Sequence, residues 1–375
     1  MRMKKFLILS AAVLGAVACS NTYEVKPAPE KAIGFGTWTE TLTKARATGN
    51  TGFENDEAFD IYGFKGTNSV VFNGDDVKAT VAGSSVSWDY DNHRFWDPSV
   101  SSYTFFAVLP ANQLAAEASA DLYATTGQFT SNDITFGDPT ALSNDILVAD
   151  KTVVNGTGTA VPYTYTNPVI INFNHIASCV DLKVKQDNAL GTAVVKITAL
   201  SLVNIKNNGK FNVTGYDGTS NAPAISWGAP SATATTLGTG GVYSVAGSYP
   251  VMVTGKTTYD GSSHVGTTPD TPADLFSGYV FMPQALDGSQ KIRLSYTIQV
   301  GSEAPNEYND IDIDLASFLT PNDTDNSAGT AITSWDAGTH YTYYITIGAK
   351  SIVFTANVKE WASPATANGY RYLIN

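Results

Sequence analysis

Apolar and polar residues alternate with a period of two along most of this chain of 375 residues. Successive side chains of a β-strand point to opposite faces, so this alternation predicts half-buried strands. Turn-forming pairs such as Asn208-Gly209, Asp217-Gly218 and Asp287-Gly288 separate the alternating segments. The pattern predicts strands at 59–64, 103–110, 169–173, 180–184, 194–205, 211–216, 242–253, 278–282, 292–300, 341–347 and 352–361.

Helical patterns are few. Residues Ala111–Tyr123 place Leu114, Ala118 and Leu122 at four-residue spacing, which predicts a short helix. A further turn is expected at Leu315–Leu319. The 32 glycines and the many Thr, Ser, Asn and Tyr residues favour strands and tight turns. We therefore expect an all-β protein of two antiparallel β-sandwich domains with few short helices.

A stretch rich in Gly, Thr and Pro suggests where the domains meet. It covers Thr152–Asn167, and a new strand pair is expected from Pro168. We therefore expect an N-terminal β-sandwich over 47–166 and a C-terminal β-sandwich over 167–361. The segment 217–275 contains long Ser/Thr/Gly/Pro stretches, which favour surface loops over a separate domain.

The N-terminus has the pattern of a secretory signal. Arg2, Lys4 and Lys5 precede an apolar run from Phe6 to Val17 that is too short to span a bilayer. Ala16-Val17-Ala18-Cys19 resembles a bacterial lipobox, whose cysteine receives lipid and becomes the new N-terminus. We expect a signal peptide over 1–18 and lipidation at Cys19. The alternative is an ordinary secretory peptide followed by a cysteine.

Charge and cysteine content narrow the class of protein. The formal net charge of −12 disfavours nucleic acid and anionic membrane surfaces, because both require a basic footprint. The chain has two cysteines, so lipidation of Cys19 would leave Cys179 without a disulfide partner. Cys179 lies in an apolar stretch and is expected to be a small buried core residue.

The sequence segments that resemble catalytic or metal-binding motifs lack residues that those motifs require. The glycine that a phosphate-binding loop needs before Gly255-Lys256-Thr257 is replaced by Pro250, which has no amide hydrogen to donate. Four histidines, His93, His175, His264 and His340, show no metal-ligand spacing, and His175 is expected in the core. We therefore expect no catalytic residues, no cofactor and no metal site. Asp310, Asp312 and Asp314 on one strand face, and the loop 322–326, carry oxygens that could bind calcium, but a solvated strand face and a polar turn are the favoured interpretations.

Both ends of the chain carry apolar segments outside the expected domains. Ile33 and Phe35 share one face of a strand candidate, which is followed by Lys44-Ala45-Arg46, a site that a trypsin-like protease could cut. The alternative for this site is an uncut loop. Beyond the spacer 362–369, Tyr370, Tyr372 and Ile374 share one face of a terminal strand. Such a strand is costly to leave in water, so it is expected to pair, either with its own domain or with a neighbour.

Taken together, these segments resemble the fimbrillin family, the subunits of bacterial type V pili. The resemblance is carried by the lipobox, the Ile33-x-Phe35 strand, Trp96 with Ser102–Ala107, Asp145–Ala149, Ile171–Ser178, Phe281–Gln284, Trp335–Tyr341 and Phe354–Trp361. It implies two transthyretin-like β-sandwich domains and export as a lipoprotein. It also implies that a surface protease removes an N-terminal strand after a basic residue, and that the C-terminal strand of a neighbouring subunit then fills the groove.

Carried over to this chain, the resemblance assigns several roles. Cys19 is the lipid site, residues 19–46 are a removable propeptide, and Arg46, with Lys44 as the alternative, is the cleavage site. Residues 362–375 are the donor-strand tail, with Tyr370, Tyr372, Leu373 and Ile374 in the donor strand. The implied partners are other pilus subunits, the outer membrane through the lipid of the precursor, and a ligand on a host or bacterial surface.

A second hypothesis comes from another class. The chain could be a monomeric surface lipoprotein or a tip adhesin that binds glycans through aromatic residues such as Trp88, Tyr90, Phe95 and Trp96. In their strand context these aromatics are expected in the core or in strand pairs. An enzyme is expected least of all.

Overall fold

The computed structural model of the chain describes residues 32–37, 53–67, 69–82, 85–97, 99–114, 127–155, 168–231, 233–253, 256–257, 272–319, 330–348 and 352–360. These residues are folded almost entirely as strands, which confirms the all-β class. Their helical elements are three single 3-10 turns, Leu142–Asn144, Asn188–Leu190 and Leu315–Ser317. The last confirms the turn expected near Leu315, whereas residues 115–123 of the helix expected at Ala111–Tyr123 lie outside these ranges. In the described part, no helix has the length and apolar character needed to cross a membrane.

The strands are numbered along the chain. In the first half they are β1 Phe35–Thr37, β2 Ala58–Lys65, β3 Ser69–Ala82, β4 Ser85–Asp89, β5 Ser102–Leu109, β6 Phe129–Thr130, β7 Ile134–Thr135, β8 Leu147–Ala149, β9 Thr152–Asn155, β10 Val169–Ile171 and β11 Phe173–His175. The remaining strands are β12 Ser178–Asp187, β13 Val194–Val203, β14 Asn208–Tyr216, β15 Pro223–Gly228, β16 Val242–Ser244, β17 Val251–Val253, β18 Lys256–Thr257, β19 Ala273–Phe281, β20 Gln284–Ala285, β21 Lys291–Gln299, β22 Asn306–Asp314, β23 Ser334–Trp335, β24 Thr339–Ile347 and β25 Ile352–Glu360.

The first core lies on one face of a seven-stranded sheet. The sheet has the order β11-β8-β5-β2-β3-β4, with β9 also paired to β5. Its strands alternate as the sequence predicts, so that Phe59, Ile61 and Phe105 face this core. The two-stranded sheet of β1 and β10 covers the same core from the other side.

The second core lies between two five-stranded sheets. One contains β12, β18, β19, β24 and β25, and the other contains β13, β16, β17, β21 and β22. Leu182 and Tyr343 from the first of these sheets pack with Ile197 and Leu294 from the second, and all four are fully buried or nearly so. This arrangement is a β-sandwich, in which the inner faces of two sheets form one core.

A third apolar cluster joins the two halves. It contains Phe106 and Val108 from the outer face of the seven-stranded sheet, Phe211 from β14, and Val280 from β19. The four-stranded sheet of β15, β14, β6 and β7 combines strands from both halves of the chain. The two cores are therefore connected by packing as well as by the backbone.

The strand pairing departs from the sequence-based expectation in direction. Most pairs are antiparallel, but β1 pairs with β10, β12 with β24 and β12 with β18 in parallel. The pairing of β12 with β24 extends from Ser178↔Thr339 to Gln186↔Ile347. Alternation has the same period in both kinds of pair, so the hydrophobic pattern carried no information on direction.

Two further details differ from the expected organisation. Residues Val169, Ile171 and Phe173, which follow the expected domain boundary at 166, pack in the first core. We therefore propose that the division between the two halves lies near Ile176, between β11 and β12. The segment 217–275, expected to be loops, contains β15, β16, β17, β18 and the first residues of β19. The strand expected at 242–253 is divided into β16 and β17.

A buried carboxyl makes the stability of the first half depend on pH. Asp60 on β2 is buried, accepts a hydrogen bond from the backbone amide of Asn112 at 2.7 Å, and lies opposite Asp76 on β3. Burial, together with the negative charge of Asp76, raises the pKa of Asp60 to about 6, although the Asn112 amide lowers it. The unfolded chain ionises this group at lower pH, so the folded state loses stability relative to the unfolded state as pH rises through 6.

Replacing Asp60 by Asn should therefore stabilise the protein above pH 6, with a smaller gain at pH 4.5. The amide still accepts the Asn112 hydrogen bond but carries no charge to bury. Urea unfolding midpoints at pH 4.5 and 7.5 measure the effect. Asp76→Asn is the control that removes only the neighbouring charge, and it should show a smaller change of the same sign. A gain for Asp60→Asn that does not vary with pH would contradict the assignment.

Candidate functional site

The candidate site is the groove that β1 occupies over the first core. The other residues expected to act in assembly, Cys19, Lys44, Arg46, Tyr370, Tyr372, Leu373 and Ile374, lie outside the described residues. Strand β25, which precedes the C-terminal tail, is described to Glu360. The part of the expected propeptide that can be analysed is therefore 32–37.

The backbone of this segment is paired on both sides. On one side β1 runs parallel to β10, with Phe35↔Val169, Gly36↔Ile170 and Thr37↔Ile171 as partners. The amide of Val169 also donates to the carbonyl of Gly34 at 2.8 Å. On the other side the amide of Ile33 donates to the carbonyl of Arg94 at 2.7 Å. The segment is thus inserted between a strand edge and a loop, like the middle strand of a sheet.

The side chains of Ile33 and Phe35 anchor the segment. Ile33 has no exposed surface, and Phe35 is buried as well. The ring of Phe35 lies 5.3 Å from that of Phe72 and 5.7 Å from those of Tyr90 and Phe105, measured between centroids. These are edge-to-face or tilted contacts, the geometries that aromatic rings prefer. The two residues stand two positions apart and so point into the core from one face of the strand.

The loop from Tyr90 to Phe95 forms the second wall of the groove. The hydroxyl of Tyr90 donates to the carbonyl of Ile33 at 2.7 Å and accepts from the amide of Arg94 at 3.1 Å. Burial raises the pKa of Tyr90, although the neighbouring Arg94 lowers it, so its hydroxyl keeps its proton and remains a donor. The Arg94 guanidinium in turn binds the carboxylate of Asp75 on β3 at 2.9 Å. The loop that binds Ile33 is therefore attached to the seven-stranded sheet through the contact between Arg94 and Asp75.

Exposed apolar side chains surround the groove. Ile170 of β10, which pairs with Gly36, is 38% exposed, and Phe95, which bridges to Ala32, is 45% exposed. Val153 of the adjacent β9 is also exposed. At Gly36 an added Cβ would lie 3.3 Å from the Ile170 side chain, so a larger residue there would press against the groove edge.

Of the aromatics proposed for glycan binding, most belong to the core. Trp96 is 2% exposed and packs on Tyr103, Tyr90 holds the segment described above, and Trp88 contacts Phe59. Phe95 alone among the four is classed as exposed. The expectation that these aromatics are core residues is thus confirmed for three of them, and they do not form an exposed stacking platform.

Two of the three aspartates predicted on one face of β22, Asp312 and Asp314, accept hydrogen bonds from protein groups. Asp312 accepts two hydrogen bonds from the Arg293 guanidinium, at 2.7 and 2.9 Å, and Asp314 accepts one from the amide of Ala316. Residues 322–326 lie outside the described ranges. The contacts of Asp312 and Asp314 are those of a solvated strand face and a turn.

His175 and His340 have carboxylate partners that sequence spacing did not reveal. His175 is buried with its Nδ1 2.6 Å from Asp145, as expected of a satisfied core histidine, and Cys179 is buried as expected. His340 lies 3.0 Å from Asp181. Cys179, Asp181 and His340 form the one group of three metal-ligand side chains found within the described ranges. Their distance along the chain explains why a search for local spacing missed them.

Sequence reasoning also missed the walls of the groove. Neither Arg94 nor the strand partner β10 was singled out. The alternating apolar residues Ile33 and Phe35 predicted a strand, but they gave no information on the strand with which it pairs. Finding the partner requires the register of strands far apart in sequence.

The chain is similar in sequence and in fold to known fimbrial proteins. A model of the fimbrillin-like family matches residues 43–361. The fimbrium subunit Fim1C of Phocaeicola vulgatus is 25% identical over 222 residues, which cover 53% of this chain and 56% of that protein. The chain thus spans little more than half the length of that relative. A crystal structure of a fimbrial protein from Bacteroides vulgatus is similar in fold, with a TM-score of 0.50 and 19% identity over 88% of this chain and 99% of that one.

Replacing Phe35 by Ala should destabilise the unprocessed protein by about 3–5 kcal/mol, since it removes a buried ring from an aromatic cluster. Thr37→Ala, on the same strand but half-buried, should cost less than about 1 kcal/mol. Urea unfolding followed by tryptophan fluorescence measures both. Equal, small effects for the two variants would show that β1 does not complete the first core.

Proposed function

The chain belongs to the fimbrillin-like family, and on that premise we propose that it is a structural subunit of a bacterial cell-surface fimbria. The subunit polymerises by donor-strand exchange: proteolysis releases its own β1, and the C-terminal strand of a neighbouring subunit takes the vacated groove. The assembled fibre supports adhesion. The observation that carries this proposal is the position of the segment 32–37, whose strand β1 pairs with β10 and whose side chains Ile33 and Phe35 are buried in the first core.

Loss of β1 would leave the first core incomplete. The exposed groove would present the rings of Phe72, Tyr90 and Phe105 to water, together with the unpaired edge of β10. Burial of Ile33 and Phe35 contributes about 1.5–3 kcal/mol for each side chain, and each backbone hydrogen bond adds about 0.5–1.5 kcal/mol. An open groove of this kind would bind a strand that restores both the apolar burial and the backbone hydrogen bonds.

The C-terminal tail matches what the groove requires. Tyr370, Tyr372 and Ile374 repeat the two-residue spacing of Ile33 and Phe35, and Leu373 stands on the opposite face. Backbone pairing gives such an inserted strand its affinity, and the side-chain pockets fix its register. Because the tail and the groove are different surfaces, the contact joins subunits head to tail and generates a filament.

Export and processing complete the proposal. Cys19 receives the lipid that holds the precursor at the outer membrane, and cleavage after Arg46, or after Lys44, removes both the lipid and β1. The signal peptide and the propeptide up to Arg46 together contain seven basic and three acidic side chains, so their loss moves the formal charge from −12 to −16. The processed subunit is thus a strongly acidic protein with an open groove.

Substituting Arg46 and Lys44 together by Ala should stop processing, because a trypsin-like protease then has no basic residue at the site. The precursor should retain its N-terminal segment and should not enter fibres. Mass spectrometry of the N-terminus of surface-extracted protein measures this. Lys31→Ala, in the same propeptide, is the control and should be processed normally. An unchanged mature mass in the double variant would reject the site.

Deleting residues 362–375 should leave a folded subunit that cannot extend a fibre, because it has no strand to donate. Tyr370→Ser combined with Tyr372→Ser and Ile374→Ser should reproduce the defect, whereas Arg371→Ser, on the opposite face of the strand, should not. Laddering on a denaturing gel after protease treatment reports polymerisation, and circular dichroism reports folding. Normal ladders from the truncated protein would contradict the donor assignment.

A further inference from the structure

The central strand of the second sandwich presents polar side chains on its outer face. Val180 and Leu182 of β12 point into the second core, so Cys179 and Asp181 point the other way. In the parallel pairing of β12 with β24, His340 is the partner of Cys179. The alternation of two neighbouring strands thus brings a thiol, a carboxylate and an imidazole to one place.

These three side chains are close together and shielded from solvent. One ligand atom from each, the Cys179 Sγ, an Asp181 oxygen and a His340 ring nitrogen, lies within 4.8 Å of both others. Cys179, Asp181 and His340 are 4%, 5% and 8% exposed. The Nε2 of His340 lies 3.0 Å from Oδ2 of Asp181, yet it makes no hydrogen bond of acceptable geometry. The imidazole and the carboxylate are therefore close without pointing at each other.

A second layer of contacts fixes the carboxylate. Oδ1 of Asp181 accepts hydrogen bonds from the amide of Gly278 at 2.7 Å and from the hydroxyl of Ser277 at 3.0 Å, both on β19. This leaves Oδ2 to face His340. Ligands of metal ions are commonly oriented by outer hydrogen bonds of this kind.

The local electrostatics favour a cation. The Asp181 side chain lies in the interior within ligand distance of Cys179 and His340. A divalent metal ion at this place would neutralise a carboxylate and stabilise a bound thiolate.

We propose that Cys179, Asp181 and His340 bind a divalent transition-metal ion of the zinc type. The sulfur binds as thiolate and its proton leaves to solvent, Asp181 binds through Oδ2, and His340 binds through Nε2. A thiolate and an imidazole select zinc, cobalt or copper over calcium and magnesium. In tetrahedral zinc sites the sulfur and nitrogen ligand atoms lie about 3.5 Å apart. Side-chain rotations that move the three ligand atoms by about 1 Å would therefore bring them to this distance.

The position of the site gives it a structural consequence. The metal would link β12 to β24 across their shared ladder, and through Asp181 it would fix β19. His340 also pairs with Lys359 of β25, the strand that leads into the C-terminal tail. A bound ion would therefore stabilise the part of the second sandwich from which the tail leaves.

Cobalt binding tests the proposal directly. The full chain, without a histidine tag and with Cys19→Ser so that Cys179 is its one thiol, is treated with chelator and a non-thiol reductant and then titrated with Co²⁺. We expect one cobalt per chain, a thiolate-to-cobalt charge-transfer absorption, and displacement of that absorption by one equivalent of Zn²⁺. Zinc should also raise the melting temperature of this protein, since it binds the folded state.

Variants separate this site from adventitious binding. In the same Cys19→Ser chain, Cys179→Ser should abolish the charge-transfer absorption, and His340→Gln should weaken zinc binding at least about tenfold. His93→Gln is the matched control, since His93 pairs with Asp89 at 2.7 Å on the surface, and it should bind zinc as the parent does. Absence of the thiolate absorption in the parent would overturn the proposal even if a variant fails to fold. Equal zinc affinity in folded Cys179→Ser would overturn it as well.

Discussion

The insertion of Ile33 and Phe35 into the first core is the contact on which the proposed assembly depends. β1 has three register partners on β10, and Ile33 and Phe35 of the segment 32–37 are both buried in the first core. A segment this short contributes apolar burial out of proportion to its length. In the proposed assembly, the burial that stabilises the precursor is also what the incoming strand restores once the segment is gone.

The second sandwich is built differently and does not share this dependence. Its core lies between two five-stranded sheets, and every described residue in it is Val180 or a later one. Its edge strand β22 carries Glu307, Asp310 and Asp312, and charged side chains on an edge discourage pairing with another chain. In the proposed filament the first half receives the neighbour's strand, and the charges on β22 disfavour pairing at that edge of the second half.

Sequence reasoning reached the fold class because alternation is a local property. Tyr103–Leu109 and Thr339–Ile347 show it clearly, and both are buried strands near where the pattern placed them. It failed on relations between distant strands, such as the parallel pairing of β12 with β24 and the attachment of β10 to β1. For the same reason, alternation marked Ile33 and Phe35 as strand residues but did not predict their contact with the loop that contains Arg94. It also did not predict that Cys179 lies beside His340.

A cryo-electron microscopy map of the assembled fibre tests the central claim most directly. The account predicts that the edge of β10 at Val169–Ile171 is paired with a strand from a neighbouring subunit, whose side chains at two-residue spacing occupy the pockets of Ile33 and Phe35. A map in which Ile33 and Phe35 of the same chain remain in that groove would contradict the account.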